Sequence, residues 1–293
     1  MPPDNLPYAI NRGGGPTEGE SDALLPWWSV TKSVLAAAAL RLADQGRLSL
    51  DDFYHHRPYT IRQLLQHTAG LNNYGIPLYH AAVAAGDPVW PVAELLARVN
   101  AERLIFSPGK GWAYSNVGYF FVRQLIEEKV GLEIDVALRL LVLDPMDLQH
   151  TRIAKTPDDM KRTLWGNPHG YDPCWVYHGL LMGPPSDAVD FLCRLFSGTF
   201  LSEGARSAMK TMHALEGGIT GRPWTRIGYG LGLMMGEMGD AGTVFGHSGA
   251  GPDSVSSLYC FSELPGSPVI AVFGRGTGEG ITETEAVRLA IDR

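Results

Sequence analysis

The stretch "LPWWSVTKSVLAAAAL", Leu25 to Leu40, decides how the rest of the chain is interpreted. It opens a helix predicted over Ser29–Asp44, with Gly46 as a natural stop. Apolar residues surround nearly the whole of this helix, which is typical of a helix inside a protein. Ser29 precedes Lys32 by three residues, so both side chains lie on one helix face. Such a pair is either a nucleophile beside an amine base, or a capping serine followed by a lysine whose stem lies along apolar surface.

The spacing S-x-x-K does not by itself select a catalytic pair, because it occurs at three places: Ser29/Lys32, Ser107/Lys110 and Ser207/Lys210. The second pair brackets a Pro-Gly turn. The third lies in a predicted surface helix, where a serine hydroxyl bonds most easily to the preceding turn. The first pair stands at a buried helix start, where backbone N–H groups are unpaired. Burial there lowers the pKa of a lysine and favours the neutral amine that a general base requires.

The composition is that of an ordinary globular protein of 293 residues, 45% hydrophobic and 19% charged. The net charge of −7, without a basic cluster, argues against a nucleic-acid or anionic-membrane partner. The apolar run from Val34 to Leu40 is too short to span a bilayer. No signal-peptide pattern is visible in "MPPDNLPYAINRGGG". We therefore expect a cytoplasmic protein, or a periplasmic or secreted one if the N-terminus was trimmed.

The predicted elements divide the chain into a helical middle and a β-rich end. Residues 1–24 are predicted to be loop with at most one short strand near "YAINR", and residues 165–185 to be one long loop. Further helices are predicted at 60–70, 91–100, 117–131, 185–198, 201–215 and 282–292, and strands at 226–238, 243–247, 254–263 and 267–276. We expect a single domain with a cleft between two lobes. Residues 1–52 and 223–293 form the sheet-containing lobe, and residues 53–222 form a mostly helical lobe.

The three cysteines, Cys174, Cys193 and Cys260, are odd in number and include no C-x-x-C pair. This argues against a disulfide framework and against a structural zinc site.

Two later motifs supply partners for the first pair. Tyr114-Ser115-Asn116 lies in a loop that opens a helix, and His247-Ser248-Gly249 lies at the end of a strand. In this order the three motifs resemble the signature of the serine β-lactamase-like family. That family includes penicillin-binding proteins, class C β-lactamases, D-amino-peptidases and family VIII-type esterases. The tyrosine of the second motif points to the class C side, and the resemblance runs from about Trp28 to the C-terminal helix.

The resemblance implies an α+β fold of the β-lactamase/transpeptidase type, an antiparallel sheet flanked by helices with an inserted helical lobe. It implies that Ser29 is a nucleophile that forms an acyl-enzyme. Lys32 and Tyr114 would share the proton transfers, with the Tyr114 hydroxyl held as a phenolate or relay. Asn116 would hold the substrate amide or Lys32.

The resemblance also implies how a substrate would be held. The backbone N–H groups of Ser29 and Ala250 would form the oxyanion hole, Ala250 following Gly249 of the third motif. His247 would orient the leaving group or a carboxylate, and Ser248 would donate a hydrogen bond there. The substrate would be a small molecule or a short peptide, and no metal or organic cofactor is required.

Two departures from the family pattern affect these expectations. His247 stands where β-lactamases carry a lysine, and a histidine supplies the positive charge for a substrate carboxylate only in part. This favours the peptidase and esterase branches, with weak or no β-lactamase activity. Only 28 residues precede the first motif, so we expect a smaller sheet or an incomplete N-terminus.

Other enzyme classes lack their motifs here. No serine lies in a G-x-S-x-G elbow, there is no H-E-x-x-H, and no G-x-G-x-x-G follows a strand. The alternatives that stay open are a catalytically silent module that binds a peptide or cell-wall fragment, and a class C-like β-lactamase. His67 is predicted to be a hydrogen-bonded core residue. Two or three of seven aromatic residues are expected to touch substrate: Trp27, Trp28, Trp112, Tyr171, Trp175, Tyr177 and Trp224.

Overall fold

The structure is a computed structural model that describes residues 6–13, 15–19 and 22–292. The strands are β1 (Tyr8–Asn11), β2 (Glu18–Gly19), β3 (Leu25–Pro26), β4 (Arg152–Ala154), β5 (Leu180–Gly183), β6 (His213–Leu215), β7 (Arg226–Tyr229), β8 (Met234–Glu237), β9 (Thr243–Gly251), β10 (Ser254–Phe261) and β11 (Val269–Arg275). The α-helices are α1 (Thr31–Asp44), α2 (Ile61–Leu65), α3 (Pro77–Ala85), α4 (Val92–Arg98), α5 (Asn116–Val130), α6 (Ile134–Leu138), α7 (Pro157–Lys161), α8 (Pro185–Ser197), α9 (Glu203–Met209) and α10 (Gly280–Ile291).

An antiparallel sheet of eight strands, in the order β2-β1-β11-β10-β9-β8-β7-β6, forms the body of the fold. Successive side chains of a strand point to opposite faces, and helices cover both. Phe245, Leu258 and Phe273 belong to the apolar cluster that includes α1 and α8. Val244 and Val272 face the other way, into the cluster that includes α10. The predicted antiparallel sheet flanked by helices is thus confirmed.

Helix α1 is the buried helix that the sequence predicts. Val34 to Leu40 have no exposed surface, and the Ser33 hydroxyl donates a hydrogen bond to the Gly232 carbonyl at 2.6 Å. The helix begins at Thr31 rather than at Ser29, because Trp28–Val30 form a 3₁₀ turn that leads into it.

Several elements differ from the prediction. Residues 165–185 are not one loop, since β5 lies there and pairs with β3 and β4 in a second antiparallel sheet. The crowding of Gly and Pro around this short apolar strand hides it in the sequence. The stretch predicted as a helix over 201–215 ends with β6. The described part of residues 1–24 contains two short strands, whereas at most one was expected. Helices α3, α6 and α7 were not predicted. The bounds of the two lobes stay a prediction.

Within the described residues, no helix combines the length and the apolar character that crossing a bilayer requires.

Candidate active site

Ser29 lies in the 3₁₀ turn at the entrance of α1, and neighbouring strands hold this turn. Trp28 adopts a positive φ of 45°, a conformation that costs on the order of 1–3 kcal/mol for a bulky residue. The indole of Trp28 donates a hydrogen bond to the Ser254 hydroxyl at 2.9 Å, and the Ser256 hydroxyl donates to the Trp27 carbonyl at 3.0 Å. Strand β10 therefore anchors the strained turn that presents Ser29.

The structure brings Ser29, Lys32 and Tyr114 together. Lys32 Nζ lies 2.9 Å from Ser29 Oγ, and the Tyr114 hydroxyl donates to the same oxygen at 2.9 Å. Lys32 has no exposed surface, and this burial holds the pKa of its amine well below the usual value. A neutral amine beside a serine hydroxyl has the geometry of a general base and its nucleophile.

Tyr114 is in the neutral phenol state. Burial raises the pKa of its hydroxyl, and the hydrogen bond with Ser29 offsets this only in part. The phenolate expected for Tyr114 is therefore not favoured, whereas its hydroxyl remains able to donate a proton. Of the two roles expected, the geometry is that of a relay.

His178, which the sequence analysis missed, is the second polar partner of Lys32. Its Nε2 lies 3.1 Å from Lys32 Nζ, and its Nδ1 lies 3.1 Å from the Tyr74 hydroxyl. His178 comes just before β5, inside the segment predicted as a featureless loop. No local motif marks it, so only the fold reveals it.

Asn116 begins α5 and lines the cleft beside Ser29. Its backbone N–H donates to Asn73 Oδ1 at 3.0 Å. Its own Oδ1 is buried and has no hydrogen-bond partner among the described residues. The hydrogen bonds of Lys32 go to Ser29 and His178, so the amide of Asn116 remains available to a substrate N–H.

His247 is fully buried and carries no charge. Its Nδ1 lies 2.5 Å from the Ser248 carbonyl oxygen, which can only accept, so Nδ1 carries the hydrogen. Its Nε2 then accepts a hydrogen bond from the Tyr229 hydroxyl at 2.8 Å. Burial, with Lys32 nearby, lowers the pKa of His247 to about 3. The partial positive charge expected from this histidine is absent at neutral pH, and both ring nitrogens have partners.

Ser248 faces away from the cleft, contrary to its expected role in substrate binding. Neighbouring residues of a strand point to opposite faces, so His247 and Ser248 do not both face Ser29. The Ser248 hydroxyl donates to Glu283 of α10 at 2.5 Å, and this buried carboxylate also pairs with Arg222. The serine belongs to this polar cluster under the sheet.

Gly249 and Ala250 lie at the Ser29 turn. A Cβ added to Gly249 would lie 2.5 Å from the backbone nitrogen of Ser29, so only glycine lets β9 approach the nucleophile this closely. Ala250, the next residue, lines the cleft together with Ser29. This proximity is compatible with the expected pairing of their N–H groups as an oxyanion hole, which stays a prediction.

The cleft at Ser29 has a volume of about 620 Å³. Among the described residues that line it there is no lysine or arginine, and one carboxylate, Asp253, stands at its edge. Asp253 is half-exposed and lies 3.0 Å from His169 Nε2. Of the seven aromatic residues considered, Trp28 and Tyr171 line the cleft, while Tyr74 and Tyr79 line it without having been predicted.

His67 is a buried residue that holds the second motif in place. Its Nδ1 accepts a hydrogen bond from the Ser115 backbone N–H at 3.1 Å, which confirms the predicted hydrogen-bonded core position. Burial keeps the pKa of its imidazole well below the usual value.

Comparison with known proteins establishes the family. The chain matches the family described as Beta-lactamase over residues 9–270, and it therefore belongs to this family of serine hydrolases. It is 22% identical over 269 residues to penicillin-binding protein 4* of Bacillus subtilis, covering 80% of this chain and 57% of that protein. It is 30% identical over 149 residues to esterase EstB of Burkholderia gladioli, covering 44% of this chain and 38% of that protein.

A solved structure shares the fold. A D-stereospecific amidohydrolase from Streptomyces superposes with a TM-score of 0.79 at 23% identity, covering 98% of this chain and 94% of that one.

The chain spans little more than half the length of the penicillin-binding protein and just over a third of the esterase.

Proposed function

We propose that this chain hydrolyses an ester or amide through an acyl-enzyme at Ser29, with weak or no β-lactamase activity. The observation that carries the proposal is the contact of Ser29 Oγ with both Lys32 Nζ and the Tyr114 hydroxyl, each at 2.9 Å. The likeness to an esterase and to an amidohydrolase agrees with this reaction class.

In the proposed reaction, Ser29 Oγ attacks the substrate carbonyl while its proton passes to the neutral Lys32 amine. The carbonyl oxygen becomes an oxyanion between the backbone N–H groups of Ser29 and Ala250, each worth about 3 kcal/mol. The leaving group takes a proton from the Lys32 ammonium, directly or through the Tyr114 hydroxyl. A water then attacks the acyl-enzyme and gives a proton to Lys32. As the acid leaves, the Lys32 ammonium returns a proton to Ser29 Oγ, which restores the serine hydroxyl and the neutral amine.

Charge in the cleft supports a narrower substrate class. A carboxylate on the substrate would find no lysine or arginine among the described lining residues; the histidines His80 and His169 line the cleft, and His169 lies against Asp253. The carboxylate of Asp253 instead disfavours anionic groups and attracts an ammonium. We therefore propose acyl groups that are neutral or positively charged, a class that includes amino acid amides.

A panel of matched substrates tests the proposal. The p-nitrophenyl esters of butyrate, 4-aminobutyrate and succinate have acyl chains of similar length that differ in charge. We expect the succinyl ester to be the slowest, and a chromogenic cephalosporin to react more slowly than the butyrate ester. A phenylalanine amide of each hand extends the panel to amino acid amides.

Two variants serve as controls for this panel. Ser29→Ala is expected to abolish turnover of every substrate. Asp253→Asn is expected to reduce the preference for the aminobutyryl over the butyryl ester by about two- to fivefold, the range of an exposed charge pair. A cephalosporin rate above the ester rates would contradict the proposed class, and turnover that survives in Ser29→Ala would contradict the proposed site.

A further inference from the structure

A continuous row of polar side chains extends from the nucleophile into the protein. It runs from Tyr114 through Ser29, Lys32 and His178 to Tyr74, with successive polar atoms 2.9 to 3.1 Å apart. Lys32, His178 and Tyr74 are 0%, 3% and 3% exposed. The Lys32 amine itself has no exposed surface, so the protein supplies its hydrogen-bond partners.

The hydrogens can be placed along this row so that Lys32 is ready to act as a base. The Tyr114 hydroxyl donates to Ser29, and the Ser29 hydroxyl donates to the lone pair of the neutral amine. One N–H of Lys32 then donates to His178 Nε2. The other ring nitrogen of His178, Nδ1, donates to the Tyr74 oxygen, which matches the donor and acceptor capacity of each group.

We propose that His178 is a positioning residue for Lys32. It accepts an N–H of the amine and thereby turns the lone pair toward Ser29, and it accepts the same hydrogen bond from the ammonium once Lys32 has taken the proton. Tyr74 fixes the ring of His178. The inference rests on the proposed function, because it concerns how the proposed base is oriented.

A lysine requires such a partner more than other bases do. Its amine lies at the end of a flexible side chain. The amine group rotates about its bond to that chain, so nothing within the lysine fixes the direction of its lone pair. The arrangement of nucleophile, base and a third group that orients the base recurs in serine hydrolases. Among the described residues Lys32 has no carboxylate partner, so His178 fills the place of the third group.

The surroundings of Lys32 keep His178 neutral. Burial lowers the pKa of His178 well below its usual value, and a positive charge on Lys32 or on Arg123 lowers it further. The rings of Tyr114 and Tyr119 lie 5.0 and 5.6 Å from Lys32 Nζ. Besides Ser29 and His178, the titratable groups around Lys32 are thus two tyrosines and two neutral histidines, His67 and His247.

The test measures acylation as the burst of p-nitrophenol from the butyrate ester between pH 5 and 10. His178→Phe keeps the bulk of the ring and removes the acceptor. We expect its burst rate to fall on the order of 10- to 100-fold. This is the typical loss of activity when a residue that orients a metal-binding histidine is replaced, a comparable positioning role. The acidic limb of its pH profile should move to lower pH, because the ammonium loses the hydrogen bond that favours it.

Three further variants separate positioning from folding. His178→Gln retains an acceptor and should recover part of the rate. Tyr74→Phe should lower the rate less than His178→Phe does. Tyr177→Phe is the matched control, because its hydroxyl donates to the Trp90 carbonyl at 2.8 Å outside the row, and its rate and pH profile should stay unchanged. If His178→Phe does not fold, His178→Gln and Tyr74→Phe decide the question.

A merely structural role would lower the active fraction and scale the whole pH profile without moving its limb. The inference is overturned if His178→Phe acylates at the wild-type rate, or if every variant in the row lowers the plateau with an unmoved limb. Failure of the proposed function looks different, because the wild-type protein itself would then give no burst.

Discussion

Replacing Lys32 by methionine separates the chemistry of this side chain from its packing. Methionine has a similar length and is apolar, so it fills the same buried space without an amine. Loss of a general base is expected to slow acylation about 10²- to 10⁴-fold. Stability at pH 7 should change little, because relief from burying the amine is offset by about 1–3 kcal/mol for leaving His178 Nε2 buried without its donor.

The pH dependence of this stability difference follows from the lowered pKa of Lys32. Between that pKa and the usual value of 10.5, the unfolded chain holds a proton that the folded protein lacks. Wild-type stability therefore gains about 1.4 kcal/mol per pH unit from this group over that interval. Lys32→Met lacks the gain, so its stability relative to the wild type should fall as the pH rises toward 10.5.

Burst kinetics with the butyrate ester, and urea unfolding at pH 7 and 9.5, measure the two effects. Acylation within about threefold of the wild-type rate would remove Lys32 from the base role, since loss of a base costs at least about 100-fold. A variant several kcal/mol less stable than the wild type would show that the amine holds the fold together.

Three further predictions concern the groups around the site. Gly249→Ala should lower the acylation rate about 100-fold, because its Cβ would press on the Ser29 amide. Gly204→Ala, on an open helix surface, should leave the rate unchanged. Equal acylation rates in the two variants would contradict the close approach of Gly249 to Ser29. The free energy of unfolding in urea should fall as the pH drops from 6.5 toward about 3, because His247 stays neutral in the folded protein while it takes up a proton in the unfolded chain. His247→Asn should make stability depend less steeply on pH in this range. An unaltered dependence would contradict the assignment of a neutral, buried His247. Glu283→Gln should cost about 1.5–3 kcal/mol in thermal or urea unfolding, because Arg222 loses its hydrogen bonds to a buried carboxylate and keeps only Glu279, at 3.3 Å, as a counter-charge. A loss below about 1 kcal/mol, typical of a surface pair, would contradict this.

Local patterns in the sequence are sufficient to predict the elements that carry the nucleophile. The all-round apolar pattern after Ser29 predicts α1 correctly, because burial of every face needs no knowledge of the neighbours. The strand-like segments after residue 223 predict β10 and β11 within a few residues and the first half of β9, whereas the single strand predicted over 226–238 is divided into β7 and β8. Strand β5 was missed because its four residues are too few to show a period among glycines and prolines.

The finer features of the site depend on tertiary packing. His178 joins Lys32 across 146 positions of the chain, a pairing that no local pattern encodes. The charge of His247 depends on how deeply it is buried, which its motif does not state. Ser248 is different, since strand alternation alone indicates that it cannot share a face with His247. Which of the two faces away from the cleft follows only from the structure, where Ser248 bonds to Glu283.

Covalent labelling of Ser29 tests the central claim most directly. After exposure to a fluorophosphonate, intact mass spectrometry of the wild-type protein should show a single adduct, and peptide mapping should find it on Ser29. Ser29→Ala should stay unmodified, whereas Ser207→Ala, which removes the serine of another S-x-x-K match, should be labelled like the wild type. A folded wild-type protein that stays unmodified, or that carries the adduct on another residue, would contradict the account.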